Sequence, residues 1–563
     1  LLAGFFVLPV LRLLVLSVQD QGHHGLTLTH FQQVFQNAVY TRVLLVTFRI
    51  SILTALISVL LGYPLAYWIV RLPSSRRTVA MFLVMVPFWT SYLVKTFAWL
   101  LILGRTGVIN QLVKDAGGPQ FSLLYNQSAV LVGMVHGMLP LAVLTLIPVL
   151  GSIDRRLVQA AETLGAHPTQ AFWLVYFQLS LPGIASAGLL TFLTALGFFI
   201  VPALLGGPGQ TLMAQLIITQ IQQSLDWGFA GALSAFLLAA TALACWFYDR
   251  VFGMSTLSGE GQAGAVRSGA GGAARAGRAA LSACAAANVA LGAVVSRILP
   301  KRVVRALLPG YGVLAIIFLV APTLIVVPIA FTSSTFLDFP PPGYSLRWFQ
   351  TYFNSPLWIE ATVRSFAVGF VTAACATVIG GAAALAIARS NTRWRGAIFA
   401  LFLAPMIVPR IILAVGLMYL FSQMGLIGTN LGLVIGHTVL ALPFTFITMA
   451  AVLKGYDQRL DHAAAVLGAN RWRTVQLITI PLLKGGLVAA FLFAFVTSFD
   501  ELTVALFVTG GINTTLPKQM WDDMFLQLSP TIAAVSVVVF AIVTTLLLLC
   551  ERFRDKGEQV RST

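Results

Sequence analysis

Asp500 and Glu501 are neighbouring carboxylates inside the apolar run 485–508. An ionised carboxylate at membrane depth costs about 3 kcal/mol or more unless it meets water or a partner. In a water-filled passage, such a group offsets the hydration that an ammonium ion loses on entry. Trp89 and Trp99 would add cation–π attraction, so Trp89, Trp99, Asp500 and Glu501 are the candidate pathway residues for a small cation. The alternative is structural: Asp500 caps a broken helix or pairs with Arg410. Lys95 and Arg410 follow Pro87 and Pro405 at related places. Their charge repels a cation, which suits pairing with carboxylates or snorkelling to an interface.

Other chemistry is hard to find. There is no G-x-x-x-x-G-K-[ST] segment to cradle ATP phosphates, no H-E-x-x-H and no G-x-S-x-G. His23, His24 and His30 are irregularly spaced on a polar loop, which reads as solvated rather than metal-binding. His136 and His437 each stand alone in an apolar run and read as packing residues. Cys245, Cys284, Cys375 and Cys550 show no paired metal spacing. The residues therefore point away from an enzyme, a metal site or a bound cofactor.

The elements that would position these residues are membrane helices. Of 563 residues, 58% are hydrophobic and 9% charged, against about 25% charged in a soluble domain. Apolar runs fall near 1–18, 43–70, 78–103, 126–150, 184–205, 228–248, 306–331, 361–387, 396–420, 430–453, 485–508 and 530–550. They are continuous rather than alternating, which predicts spanning helices and excludes a closed barrel. The chain begins at Leu1 inside such a run, so part of the first helix is expected to be missing. Residues 251–305 are rich in Gly, Ala and Arg and read as a linker.

The two sides of that linker repeat each other. Gly62, Arg71 and Pro87 correspond to Gly380, Arg389 and Pro405 at an offset of 318; Gly133, Pro140 and Gly165 correspond to Gly436, Pro443 and Gly468 at 303. A longer loop around Lys114–Gln127 accounts for the difference. Six spans restore orientation, so the repeat is parallel. The expected fold is an all-α polytopic membrane protein of about 12 helices. Its parts would be a first six-helix domain over 1–250, the linker 251–305, a second domain over 306–550 and a basic tail over 551–563.

The net charge is +17. Placing both termini in the cytoplasm gathers most basic residues on one side: Arg71, Arg76, Arg77, Arg155, Arg156, Arg389, Arg393, Arg395, Lys454, Arg459, Arg471 and Arg473. Basic loops beside anionic lipid explain the charge without a nucleic-acid partner.

The ordered-looking loops on that side occupy matched places. One reads LVQAAETLGAHPTQAFWLVYFQLSLPG, Leu157 to Gly183; the other reads LDHAAAVLGANRWRTVQLITIPLLKGG, Leu460 to Gly486. Each predicts a short Ala-rich helix ended by a glycine, where a positive φ costs little. Ala160, Ala161, Ala463 and Ala464 remove bulk and let a partner approach. Two copies in a twofold repeat favour a symmetric cytoplasmic partner over helices resting on lipid.

These loops resemble the EAA loop of ATP-binding-cassette importer permeases: E-A-A, three residues, G, nine residues, I, one residue, L-P. The positions fall on Gln159, Ala160, Ala161, Gly165, Val175, Phe177 and Gln178, and on His462, Ala463, Ala464, Gly468, Ile478, Ile480 and Pro481. Both copies lack the acidic residue. The first also lacks the proline, although Pro182 follows, so coupling strength or loop shape differs there. LGYPLAYWIVRLP and VPFWTSYLVKTFAWLLILG resemble the first permease subunit of spermidine/putrescine importers; LAPMIVPRIILAVGLMYLF, TSFDELTVALFVTGG and TLPKQMWDDM resemble the second.

The resemblance implies a fused importer permease of the bacterial inner membrane, carrying a polyamine to the cytoplasm. It implies an extracytoplasmic solute-binding protein and two copies of an ATP-binding subunit, which would hold Mg-ATP while this chain holds no cofactor. Fused permeases for ferric iron, thiamine or phosphonate remain alternatives. An ion-coupled secondary carrier is a further one, though it has no need of paired ATPase sockets.

Overall fold

The computed structural model describes residues 1–19, 25–252, 282–283, 286–290, 301–390, 393–457, 459–511 and 513–545. Most of the 251–305 linker, the 551–563 tail, His23, His24, Cys284 and Cys550 lie outside them. Regular structure among the described residues is helical.

Nine helices among the described residues are long and apolar enough to cross a membrane, and a tenth is made by Arg395–Ile407 with Arg410–Met424, bent by 96°. Shorter apolar helices, Ala3–Leu16 and Thr531–Thr545, stand where the first and twelfth spans are expected. The expected third span, 78–103, is not continuous: Ser74–Trp89 stops at Thr90, and Tyr92–Leu103 restarts after Ser91. In both halves two extended residues make the break, Thr90–Ser91 and Val408–Pro409. Pro409 has no N–H and disfavours helical backbone at Val408. Ser91 works differently, its hydroxyl accepting the Leu93 amide as an N-cap.

The repeat holds residue by residue. The offset of 318 carries Ala38–Arg71 onto Pro356–Arg389, and 303 carries the end of Pro168–Leu196 onto that of Arg471–Phe499. It also carries the exposed apolar stripe Leu45, Ile52 and Leu60 onto Val363, Phe370 and Val378. An exposed apolar stripe on a helix long enough to span is suited to lipid. Within each half three long helices pack together: 38–71, 127–152 and 168–196, and then 356–389, 430–454 and 471–499.

The first helix of each half crosses to the other half. Helix 3–16 packs on Arg410–Met424, and Lys301–Ala330 packs on helices 38–71, 74–89 and 92–103. The Tyr311 hydroxyl donates to the Leu61 carbonyl at 2.5 Å, and the His136 ring lies 3.0 Å from the Leu319 carbonyl. Both broken spans are thus clasped by a helix from the opposite half.

Close helix approach depends on small residues. At Gly380 an added Cβ would overlap the Thr445 hydroxyl, which bonds the Ala376 carbonyl at 3.0 Å. Gly380→Val is therefore expected to push helices 356–389 and 430–454 apart and lower the detergent melting temperature by several degrees, for a cost of about 1–3 kcal/mol. Unchanged melting would show that this contact is slack.

Candidate functional site

Where the halves meet, the end of one fifth span faces the other half's broken third span. Asp500 follows the last residue of helix 480–499. Its carboxylate lies beside the Ser91 hydroxyl and the Tyr92 amide, close enough to Lys95 and Arg410 for their charges to favour it. It therefore sits at the N-terminus of helix 92–103, where free amides and the helix dipole favour an anion. The equivalent residue in the first half is Gly197, and a Cβ there would press on Pro409. The same interface exists twice, but only the second copy carries a carboxylate.

A recess of about 330 Å³, including the solvent at its mouth, opens here between Trp89, Ser91, Phe499, Asp500, Pro517 and Met520. Trp89 is 9% exposed, and its indole N–H has no hydrogen-bond partner. Its ring packs on Phe493 with centroids 4.6 Å apart. Lys95 is buried rather than snorkelling: Nζ donates to the Pro87 carbonyl at 3.0 Å and lies 3.8 Å from the centre of the Tyr92 ring. It thus satisfies a carbonyl near the end of helix 74–89.

The structure separates the four candidate pathway residues. Trp89 and Asp500 share the recess. Trp99 does not line it; that ring packs against His136 and Phe318, centroids 5.6 and 5.7 Å away. Glu501 is 1% exposed and accepts the amides of Thr503, Val504 and Ala505 at 2.9, 2.8 and 3.3 Å. It caps the turn leading into Ala505–Val508, with His437 3.6 Å away. The eleventh span therefore ends at Phe499 instead of running to 508, so neither carboxylate lies in mid-helix. Glu501 has a structural role, and Asp500 combines the two readings: it faces the recess and lies at the start of a broken span's second helix with Arg410 nearby. Ser91 and Tyr92 escaped the sequence reading; the serine four residues beyond Pro87 was their only signal.

The second candidate is the pair of surface helices Arg155–Thr163 and Arg459–Val466. Both end in the same cap. Ala166 and Gly165 amides donate to Ala161 and Glu162 carbonyls, each at 3.0 Å; Ala469 and Gly468 donate to Ala464 and Ala465, also at 3.0 Å. Gly165 and Gly468 have φ of +92° and +81°, as this glycine-terminated cap requires. A π-helical turn follows at Phe172–Tyr176 and again at Val475–Thr479.

The four alanines do not form one face. Ala160 and Ala463 are exposed, Ala161 is half-buried and Ala464 is buried against its own hairpin. Gln159, His462 and Pro481 are exposed. What projects furthest is apolar: Leu164, Val466 and Leu467 are 89%, 88% and 86% exposed. The repeated Leu-Gly pair at 164–165 and 467–468 was the legible trace of that knob.

No group of three or more metal-ligating side chains occurs among the described residues. His30 is buried beside the Gln19 carbonyl, not solvated.

A twofold membrane bundle with paired surface helices and a midline recess defines a transport component. The family profile described as binding-protein-dependent transport system inner membrane component matches residues 58–255 and again 376–553. The chain belongs to that family and carries two permease units in one polypeptide. It is 33% identical over 255 residues to the spermidine/putrescine transport system permease protein PotB of Haemophilus influenzae, covering 44% of this chain and 88% of that protein. It is 28% identical over 215 residues to PotC of the same organism, covering 38% and 84%. Against Escherichia coli PotC, identity is 27% over 257 residues, covering 45% and 97%.

Proposed function

We propose that this chain is the fused permease of an ATP-driven importer that passes a polyamine, putrescine or spermidine, from a solute-binding protein into the cytoplasm. The observation that carries the substrate class is the single carboxylate, Asp500, at the crossing of the halves beside an aromatic wall. The names of the similar permeases favour the same class over iron, thiamine or phosphonate. The units are 1–250 and 306–550, joined by 251–305 and followed by the basic tail 551–563. The chain lies in the bacterial inner membrane with both termini cytoplasmic.

In the described arrangement Asp500 lies against Ser91 and Tyr92 and is balanced by Lys95 and Arg410, which leaves little attraction for an entering ammonium. Parting the end of helix 480–499 from the break at 90–91 would free the carboxylate and open the recess. Helices 155–163 and 459–466 are the places for two copies of an ATP-binding subunit, with Leu164 and Leu467 as apolar knobs. Those subunits would hold Mg-ATP and hydrolyse it. Their closure would draw the two helices together and bias the halves between two discrete states.

The test is uptake into proteoliposomes holding this chain with its ATP-binding subunit and solute-binding protein. Labelled putrescine or spermidine should accumulate only with ATP. ATP hydrolysis stimulated by the loaded binding protein without polyamine uptake would overturn the substrate. Uptake driven by an ion gradient alone would overturn the importer.

A further inference from the structure

We infer that Arg389, Asp461, Tyr456 and Thr479 form a latch that holds the second docking helix to the end of helix 356–389, and that the first docking helix has no counterpart. The inference rests on the reading of helices 155–163 and 459–466 as docking sites for the ATP-binding subunits. Arg389 Nη2 donates to Asp461 Oδ2 at 2.6 Å and to the Thr479 hydroxyl at 2.9 Å. The Tyr456 hydroxyl donates to Asp461 Oδ1 at 2.6 Å. Burial and the adjacent carboxylate push the Tyr456 phenol up, so it remains a neutral donor.

Four pieces of chain meet in this cluster. Arg389 ends a long helix, Tyr456 lies in the turn after helix 430–454, Asp461 is on the docking helix and Thr479 closes the π-helical turn before helix 480–499. Both Asp461 oxygens are used. The ion pair is partly shielded, with side-chain exposures of 31% and 19%. Charge-assisted hydrogen bonds of this kind are short and directional, so the docking helix cannot rotate without dragging the ends of its neighbours.

The repeat makes the contrast exact in position. Arg389 corresponds to Arg71, but Asp461, Tyr456 and Thr479 correspond to Val158, Ile153 and Tyr176. Arg71 consequently lies over the Tyr67 ring at 4.0 Å. Tyr67 packs edge-on against Tyr176 and Phe172, centroids 5.2 and 5.4 Å away, and the Tyr176 hydroxyl donates to the Leu150 carbonyl. Ring contacts tolerate sliding that one ion pair braced by two hydroxyl groups does not. Arg389 and Asp461 are positioning residues: they act on coupling through the docking helix.

The test places a spin label at Glu162→Cys or Ala465→Cys in the full chain, with cysteines 245, 284, 375 and 550 replaced by serine. Arg389→Gln and Asp461→Asn should each raise label mobility at 465 and not at 162. The swap Arg389→Asp with Asp461→Arg should restore it. Arg71→Gln should leave both labels unchanged. In the complete importer, the first two variants should raise ATP consumed per polyamine moved by about threefold or more, as lost ionic positioning loosens coupling. Unchanged mobility at 465 overturns the latch, and an equal response at 162 to Arg71→Gln overturns the asymmetry. A mobile label with unaltered coupling overturns the positioning role. Failure of the unsubstituted importer to hydrolyse ATP would sink the docking reading, while the labels still decide the latch.

Discussion

Asp500→Asn is expected to lower ATP-driven putrescine and spermidine uptake by about tenfold or more, a loss of roughly 1.4 kcal/mol or more in the interaction with the moving cation. Asparagine keeps the side chain's shape and an oxygen beside Ser91 and Tyr92, so the break between helices 74–89 and 92–103 should hold its shape and the melting temperature should change little. What disappears is one negative charge facing an ammonium. At about 4 Å that is worth about 1 kcal/mol in bulk water and about 4 kcal/mol at the effective dielectric of a protein site. Loss of Asp500 also leaves Lys95 and Arg410 unbalanced, and both then repel the cation. Lys95→Met added to Asp500→Asn should therefore recover part of the uptake. Glu501→Gln separates the two carboxylates: it weakens a cap with three amide donors, so it should lower melting temperature more than it changes the preference between polyamines. Full uptake by Asp500→Asn would remove the carboxylate from the pathway.

The legible part of this protein was what repeats. Paired glycines, prolines and arginines at constant offsets exposed two parallel halves, and the glycine ending each short helix announced a positive φ that the structure bears out at 165 and 468. Asymmetric features were harder. Hydropathy averages over a window, so it cannot see that Thr90–Ser91 is extended when apolar helix lies on both sides. The same averaging extended the eleventh span to 508, because Asp500 and Glu501 are only two polar residues among many apolar ones. Glu501 caps its own local turn, whereas the setting of Asp500 comes from the other half of the molecule, through Ser91 and Tyr92, and no local pattern encodes that. The inward turn of Ala464 likewise depends on the hairpin it packs against. The latch could have been guessed only by aligning the halves and noticing that Val158 stands where Asp461 does.

Gly468→Pro is expected to abolish both binding of the ATP-binding subunit and its transport-linked hydrolysis, although the membrane core should still fold. Two physical losses coincide. Proline fixes φ near −65°, whereas this position sits at +81°; and proline lacks the N–H that donates to the Ala465 carbonyl. The cap cannot form, so Leu467 loses its place at the tip. Gly468→Asn supplies the control, because asparagine accepts left-handed backbone at modest cost and keeps the N–H. A Cβ at 468 points into open space, so any penalty within the chain is conformational. Valine should fall between them, as a β-branched residue at positive φ is an outlier. The expected order of subunit binding is Gly, then Asn, Val and Pro, with Gly165 following the same order. If Asn binds as poorly as Pro, the bare surface matters rather than the backbone angle, since a docked partner would fill the space that a side chain now occupies. If Pro binds like Gly, helix 459–466 is not the docking element.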